Sequence, residues 1–180
     1  MGTVEPIRRM SDIRKIEKEL ETKSFRDLLL FDLGINSGLR ISDILNLNVE
    51  DVKNHKFIQV TEKKTQKFKK IPLNAKLINM LKIYCKDKNS NEPLFKNCYN
   101  NRLSRISAYR IINKACKKLN IEAKIGTHTL RKTFGYHHYR KFKDVVLLQK
   151  IFNHSTPFVT LRYIGINEDE IFDSYKNFVL

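Results

Sequence analysis

Four side chains in the last third of the chain are of types that could together act on a phosphate group: His128, Arg131, His154 and Tyr163. The arginine fork matches phosphate oxygens, histidine can transfer protons near neutral pH, and tyrosine can serve as a covalent nucleophile. Between His128 and Tyr163 the sequence has no cluster of carboxylates that could hold a metal. The combination predicts metal-free phosphoryl transfer on a phosphodiester, whereas each residue taken alone fits an ordinary surface, capping or packing role.

The spacing of these residues predicts how they could meet. His128 and Arg131 are three positions apart, so a helix through both presents them on one face. His154 and Tyr163 are nine apart, which on one straight helix would place them on opposite faces. Residues 155–157 are Ser-Thr-Pro, two capping residues and a proline that is tolerated in a first helical turn. We therefore expect a new helix to begin there, which lets His154 fold back toward Tyr163.

A further arginine, Arg40, follows a strongly apolar stretch, 25–35, that predicts a helix deep in the core and ended by Gly38. Arg40 itself stands between two apolar residues, where a charge is costly unless an anion pairs with it. Asp43, near the start of the next predicted helix, can be that partner. Two roles remain open for Arg40: a salt bridge to Asp43, or a phosphate clamp that Asp43 holds in place.

The composition indicates a globular protein with a polyanionic partner. The chain has 180 residues, 41% of them hydrophobic, and a net charge of +16, which fits one domain with a core and a nucleic acid as partner. An anionic membrane is the alternative, but no apolar run is long enough to span one and no terminal signal pattern occurs. Three scattered cysteines without a metal-type spacing indicate reduced packing residues in a cytoplasmic protein.

The first half of the chain also predicts a β-hairpin with a basic tip. Residues 49–60 and 68–73 have the composition of two strands, and the turn between them is rich in lysine. Such a tip often does no more than stay solvated, but beside an arginine-lined phosphate site it is expected to bring a lysine to a nucleic acid backbone. Lys64 is the preferred candidate, with Lys63 and Lys67 as alternatives.

The remaining pattern predicts a mainly helical protein with a small antiparallel β-sheet, an α+β fold in a single domain over 1–180. Residues 1–9 are a polar lead-in that we interpret as the remnant of a linker. Residues 164–180 predict a C-terminal tail helix with an apolar stripe, which could pack on its own domain or on a neighbouring subunit.

A predicted helix from Ser104 to about Leu119 carries a row of basic residues that includes Arg105 and Arg110. Its opposite, apolar side is expected to consist of Ile106, Tyr109, Ile112 and Cys116. The basic face could lie along a duplex, or it could simply be solvated.

Five motifs occur in the order and spacing of the tyrosine recombinase (phage integrase) family. They are Ser-Gly-Leu-Arg40-Ile-Ser-Asp43, Lys64-Thr before Ile-Pro72-Leu, His128-Thr-Leu-Arg131-Lys-Thr-Phe, Asn-His154-Ser and Leu-Arg-Tyr163. From about Pro6 to Tyr163 the chain resembles the catalytic domain of this family, and five motifs in order make the resemblance specific.

The resemblance implies a site-specific DNA recombinase of the integrase or excisionase type. Tyr163 would attack the scissile phosphate, forming a 3′-phosphotyrosyl link and releasing a 5′-hydroxyl. Arg40 and Arg131 would hold the nonbridging oxygens and stabilise the charge that builds up in the transition state. Because the covalent link conserves the energy of the phosphodiester, the resemblance implies no cofactor, no metal and no ATP.

The same resemblance assigns the proton transfers. His128 would be the general acid/base that assists deprotonation of the tyrosine, and His154 would donate a hydrogen bond to the phosphate. Lys64 would protonate the leaving 5′-oxygen, a contribution of about 10²–10⁴ in rate for a positioned proton donor. Asp43 matches the acidic position that supports the first arginine.

The implied partner is double-stranded DNA, bound by a tetramer when the protein is full length, with no role at a membrane. Further DNA contacts are predicted at basic residues of the hairpin tip, of the 104–119 helix and next to the second arginine. They are Lys63, Lys67, Arg105, Arg110 and Lys132.

Two departures from the family pattern qualify these expectations. Asn153 stands where the family usually has glycine, and asparagine tolerates the left-handed backbone region that such a position needs. The family's N-terminal core-binding domain is not part of this chain, so we expect active-site chemistry with weak DNA binding.

Two other functions remain as alternatives. The first is a catalytically inactive or regulatory DNA-binding domain. The second is a metal-dependent nuclease, which would need a cluster of metal ligands. His137 and His138 are adjacent, about 100° apart on a helix, and favour packing or surface roles.

Overall fold

The computed structural model of the protein describes residues 4–61, 68–166, 175–176 and 178–179. Its helices are α1 (Met10–Glu21), α2 (Phe25–Ser37), α3 (Ile41–Asn46), α4 (Ala75–Tyr84), α5 (Arg105–Lys118), α6 (Thr129–Phe142), α7 (Val145–Phe152) and α8 (Pro157–Ile164). Its strands are β1 (Phe57–Thr61) and β2 (Phe68–Pro72), which pair antiparallel. The prediction of a mainly helical α+β protein with a small antiparallel sheet is confirmed.

Helix α2 lies at the centre of the fold and packs against α1, α4 and α6. It is apolar nearly all round, as a helix buried on every side must be. Gly34 lets α6 approach closely, because a Cβ at this position would lie 2.5 Å from the Cδ1 of Leu130. Gly38 follows the helix with φ +65, the left-handed conformation of a C-cap, and so turns the chain toward Arg40.

The most deeply buried carboxylate of α2 is that of Asp32. Asp32 is fully buried and lies 2.8 Å from the Nζ of Lys76 on α4, which also contacts Glu17 of α1 at 2.6 Å. Burial raises the pKa of Asp32 to about 7 from its ordinary value of 3.8, and the ammonium of Lys76 opposes that rise. Lys76 therefore connects α4 to both α1 and α2, although burial disfavours the charged form of Asp32.

The hairpin is shorter than predicted. Val49 and Val52 are buried in turns that precede β1 rather than in a strand, since the Oδ2 of Asp51 accepts a hydrogen bond from the backbone N–H of Asn48 and closes a tight turn. Within the hairpin, Ile58 pairs with Ile71. The tip, including Lys63, Lys64 and Lys67, lies outside the described residues.

Helices α6, α7 and α8 share a second, small apolar cluster built on Leu148, Phe152 and Ile164. Gly135 of α6 makes the close packing possible, because a Cβ there would lie 2.6 Å from Ile164 and 2.7 Å from Phe152. The predicted restart of the helix is confirmed. Thr156 caps α8 by accepting the N–H of Val159, and the proline stands in the first turn.

Three other expectations meet the structure with different results. Residues 4–9, interpreted as a linker remnant, pack on the domain, and Ile7 is almost fully buried. The tail helix predicted for 164–180 falls largely outside the described residues. Cys85 and Cys116 are buried, as expected of packing cysteines, but Cys98 is exposed, so that prediction is wrong for it.

The predicted apolar side of α5 is also wrong in part. Ala108, Ile112, Ala115 and Cys116 are buried, whereas Ile106 and Tyr109 are exposed. The small alanines carry the packing face, so the exposed face is both basic and apolar. No helix of the described part combines the length and apolarity needed to cross a membrane.

Candidate active site

Arg131 lies in the first turn of α6 and is only 4% exposed. Its Nη1 donates to the carbonyl of Gly38 at 2.6 Å, and its Nη2 donates to the carbonyl of Phe152 at 3.0 Å. The guanidinium also lies 4.3 Å from the centroid of the Phe152 ring. Arg131 therefore fastens the end of α2 to the end of α7.

Arg40 follows Gly38 by two residues, so the bond from Arg131 to that carbonyl brings the two arginines to one place. The Arg40 Nη1 lies 3.9 Å from the Oδ2 of Asp43, and the Asp43 side chain is almost fully buried. That separation is longer than a hydrogen bond, so the contact between these two atoms is an electrostatic one. Such a carboxylate can steady the arginine while its side chain, 18% exposed, still faces the site.

Tyr163, on α8, meets His128. The phenolic oxygen is 3.2 Å from the Nδ1 of His128, and the two rings meet edge to face. The prediction of a helix through both His128 and Arg131 needs a small correction. His128 is the N-cap of α6, and the helix begins one residue later, at Thr129. As the residue that precedes the first turn of α6, His128 has an exposed side chain.

The protonation of Tyr163 depends on opposing influences. Burial raises the pKa of its phenol above the ordinary value of 10.0, while the positive charges of Arg131 and Arg40, and a hydrogen bond from Arg131, oppose the rise. The net direction is upward, so the phenol is protonated at neutral pH. A nucleophile in this state needs a base, and the Nδ1 of His128 is the ring nitrogen within reach.

His154 folds back onto the same tyrosine, as the helix restart predicted. Its ring centroid is 5.0 Å from that of Tyr163, with an interplanar angle of 72°. The preceding Asn153 has φ 54 and ψ 48, the left-handed conformation expected of it. The Nδ1 of His154 lies 3.1 Å from the Oγ1 of Thr160, whose hydroxyl donates to the carbonyl of Thr156 at 3.2 Å. A hydroxyl has one proton, so the Oγ1 of Thr160 accepts from His154.

Sequence reasoning missed Thr160 and Phe152. Thr160 lies three residues before Tyr163 on α8, a spacing that places both on one helix face, and this signal could have found it. Phe152 supports both Arg131 and Tyr163, with its ring 5.6 Å from the tyrosine ring. Nothing in its apolar surroundings in the sequence separates it from an ordinary core residue.

The other predicted residues lie apart from this group. Arg105 and Arg110 are exposed on α5. Lys132 was predicted to contact DNA, but it is 7% exposed, with its Nζ donating to the carbonyl of Val4 at 2.7 Å. An ammonium in that position cannot reach a duplex, so the prediction of a direct contact is corrected. Lys64, the predicted proton donor, belongs to the undescribed tip.

A metal-dependent nuclease would need a cluster of metal-binding side chains. Within the described residues, no group of three or more His, Cys, Asp or Glu side chains could hold a metal ion. His137 donates from Nε2 to the carbonyl of Ile7 at 2.9 Å, and His138 packs between the rings of Phe134 and Phe142. Both histidines therefore have structural roles of the packing or surface kind that was predicted.

The sequence model of the phage integrase family matches residues 8–170. The chain belongs to this family, the tyrosine recombinases. A similar curated protein is the probable integrase/recombinase YoeC of Bacillus subtilis (strain 168), which is 49% identical over 99% of this chain and 98% of that protein. The tyrosine recombinase of Pseudothermotoga lettingae is 31% identical over 91% of this chain, but the chain spans only 57% of its length.

Solved structures of tyrosine recombinases share the fold. The crystal structure of XerA recombinase matches with a TM-score of 0.79 at 20% identity, over 97% of this chain and 64% of that one. The post-cleavage complex of XerH site-specific recombinase with its palindromic difH substrate matches with a TM-score of 0.75 at 19% identity, over 98% and 54%. At these identities the likeness establishes the fold alone. The role of each residue in the site depends on its own contacts.

Proposed function

We propose that this integrase-family protein cleaves and rejoins DNA strands, with Tyr163 as the nucleophile, and so acts as a site-specific recombinase. The observation that carries the proposal is the contact of 3.2 Å between the phenolic oxygen and the Nδ1 of His128, beside an arginine fixed by two backbone carbonyls. A nucleophile, a base that touches it and a fixed cationic fork are the parts that phosphoryl transfer requires.

The chemical step starts with the scissile phosphate between Arg131 and Arg40. Tyr163 transfers its proton to His128 as the phenolic oxygen attacks phosphorus. The new bond from the phenol to phosphorus forms as the bond to the 5′-oxygen breaks, giving a 3′-phosphotyrosyl link and a 5′-hydroxyl. His154 donates to a nonbridging oxygen. The reverse attack by a 5′-hydroxyl restores the phosphodiester and returns the proton to Tyr163.

A nicked duplex tests the nucleophile. A pool of end-labelled duplexes with randomised arms and a fixed nick lets the cleaved 5′-hydroxyl fragment diffuse away, so that religation fails and a covalent complex accumulates. We expect the wild-type protein to give an SDS-resistant complex and Tyr163→Phe to bind the pool without one. Tyr99→Phe, which alters an exposed phenol, is the matched control and should trap like the wild type. Sequencing the trapped end identifies the preferred DNA site.

Two outcomes would overturn the proposal. Binding without trapping by the wild-type protein would indicate an inactive or regulatory DNA-binding domain. Trapping that disappears when EDTA is added would indicate metal-dependent cleavage instead.

Lys64 is the proposed donor of a proton to the leaving 5′-oxygen. Replacing that oxygen with sulfur in the scissile linkage removes the need for a donor, because a thiolate leaves without a proton at a pH near its pKa of about 8.5. Lys64→Met should therefore slow cleavage of the oxygen substrate by about 10²–10⁴ and leave the sulfur substrate nearly unaffected. Lys63→Met and Lys67→Met are the matched controls. If one of them shows this pattern instead, the donor is that lysine.

Double-stranded DNA is the proposed partner, with Arg105 and Arg110 as backbone contacts on the exposed face of α5. Affinity should fall steeply with salt, since each phosphate contact releases counterions. Arg105→Met and Arg110→Met should each lower the slope of log affinity against log salt by about one. An unchanged slope in both variants would remove α5 from the interface.

A tetramer on DNA is the proposed working assembly. Exchanging two duplexes requires cleavage of four strands, and each chain offers one Tyr163, so four chains are needed. We further propose that the protein acts in the cytoplasm, where its DNA would be. Light scattering of the covalently trapped complex should give four chains for two duplexes, and a single chain at the stage of strand exchange would contradict this.

A further inference from the structure

The extended segment from Val4 to Arg8, here called the strap, crosses α6 and joins parts of the structure that are distant in sequence. The N–H of Ile7 donates to the Oγ1 of Thr133 at 2.9 Å, and the carbonyl of Ile7 accepts from His137. Both partners lie on α6, one turn apart. The middle of the strap is therefore fixed to the helix that carries Arg131.

The first part of the strap holds the loop before His128. The N–H of Glu5 donates to the carbonyl of Lys124 at 3.0 Å, and the N–H of Lys124 donates to the Oε2 of Glu5 at 3.0 Å. Val4 packs directly on Gly126, where a Cβ would lie 2.5 Å from the Cγ2 of the valine. This loop leads directly into His128, so its position follows the strap.

Lys132 connects the strap to the nucleophile. Its Nζ donates to the carbonyl of Val4 and lies 5.2 Å from the centroid of the Tyr163 ring. A cation over an aromatic face is attracted to it, most strongly where water is excluded. The ammonium of Lys132 thus links the strap to the phenol ring of Tyr163.

Arg8 binds the C-terminal end of α8, the helix that carries Tyr163. Its Nη2 donates to the carbonyl of Gly165 at 2.7 Å, and its guanidinium lies 5.1 Å from the centroid of the Tyr136 ring on α6. Gly165 is the C-cap of α8, with φ +78, and follows Tyr163 by two residues. The strap therefore contacts the loop before His128 and the C-terminal end of α8. Through Lys132 it is also linked to the ring of Tyr163.

We propose that Lys132 and Arg8 are positioning residues, through which the strap keeps the phenol of Tyr163 in register with the imidazole of His128. The inference rests on the proposed function of Tyr163 as nucleophile. Neither residue touches the phosphate in this scheme. Their contribution lies in the geometry of attack, where a displacement of about 1 Å can cost about 10²-fold in rate.

Five variants separate positioning from folding and from DNA binding. Lys132→Met removes the ammonium, and Lys132→Arg restores a cation that can reach both the carbonyl and the ring. Arg8→Met removes the bond to Gly165. Lys141→Met is the control for the first, since Lys141 is an exposed residue of α6 over the ring of Phe142. Arg9→Met, at the exposed neighbour of Arg8, is the control for the second.

The readouts are the single-turnover rate of covalent trapping at saturating nicked duplex, the affinity and its salt slope, and hydrogen exchange of α8. We expect Lys132→Met and Arg8→Met to trap about 10- to 100-fold more slowly. Their affinity and salt slope should stay at the wild-type values, and the amides of α8 should exchange faster. Lys132→Arg should recover most of the rate, and both control variants should behave as wild type.

Several results would overturn the inference. Wild-type trapping rates in both Lys132→Met and Arg8→Met would do so, as would a loss explained by weaker binding with a lower salt slope. Arg8→Met changes an exposed side chain, so it keeps the test decisive if Lys132→Met does not fold. A wild-type protein that never traps would refute the proposed function instead, and hydrogen exchange of α8 would then still report whether the strap holds that helix.

Discussion

Replacing Arg131 should damage both folding and catalysis, because in the proposed mechanism one guanidinium serves both. Its two bonds to the carbonyls of Gly38 and Phe152 are made by a charged donor in a buried place. Arg131→Met removes both bonds and leaves two buried acceptors. The exposed Arg140→Met, in the last turn of the same helix, removes an equal charge and is the control.

The size of the stability loss follows from these contacts. A hydrogen bond to a charged group contributes about 1.5–3 kcal/mol, and the contact with the Phe152 ring adds about 0.5–2 kcal/mol. The apolar methionine side chain recovers part of this by burial. We expect the free energy of unfolding to fall by about 3–5 kcal/mol. In a domain of this size that corresponds to a decrease in Tm of roughly 6–20 °C.

Arg131→Lys separates charge from geometry. An ammonium keeps the charge but cannot reach both carbonyls with a planar fork, so we expect part of the stability to return. The trapping rate should remain about 10²–10³ below wild type, the usual effect of losing one preorganised donor to a transition-state oxygen. In Arg131→Met, which removes the charge, the phenol of Tyr163 should also be harder to ionise, because Arg131 is the main group that lowers its pKa.

Urea unfolding followed by circular dichroism gives the free energy, and single-turnover trapping at saturating nicked duplex gives the rate. A loss of stability below about 1 kcal/mol in Arg131→Met would show that the two carbonyl bonds do not hold the helix ends together. A wild-type trapping rate in Arg131→Lys would show that charge alone suffices. Either result would refute the dual role.

Three further predictions concern other parts of the fold. Since burial raises the pKa of Asp32 to about 7, the folded state binds its proton more tightly than the unfolded state. The free energy of unfolding should therefore fall as pH rises from about 4 to 7, and Asp32→Asn should flatten that fall in urea titrations. Gly135→Ala should lose about 1–3 kcal/mol in urea unfolding and slow trapping, since its Cβ would press on Ile164 beside the nucleophile. Thr160→Val should slow trapping at unchanged DNA affinity, and Thr160→Ser should restore it, because only the hydroxyl accepts from His154.

The parts of the site that could be predicted from sequence are those fixed by local rules. Gly38 ends α2 in the left-handed conformation because glycine has no Cβ to oppose it. The Ser-Thr-Pro sequence at 155–157 begins α8, and this restart alone brings His154 back to Tyr163. Asn153 takes the left-handed turn between the two helices. Each of these features depends on a few neighbouring residues.

The features that escaped prediction depend on contacts between distant residues. Nothing near Ile7 in the sequence indicates that its N–H meets Thr133, so a packed strap was interpreted as a linker. Lys132 follows Arg131 in a basic motif, but α6 turns it by about 100° toward Val4 and away from the solvent. On α5 the prediction was right for Ile112 and Cys116, but the rest of the buried face consists of Ala108 and Ala115 rather than Ile106 and Tyr109.

The two histidines that meet Tyr163 cannot exchange roles. The Oγ1 of Thr160 gives its proton to the carbonyl of Thr156, so it takes one from the Nδ1 of His154. The Nε2 of His154 can then donate to a phosphate only if the ring is a charged imidazolium. His128 must do the opposite: its Nδ1 has to be unprotonated to accept from the phenol at 3.2 Å. In the proposed mechanism His154 is therefore the hydrogen-bond donor to the phosphate and His128 the base that accepts the proton of the phenol, and each role follows from the hydroxyl that its Nδ1 meets.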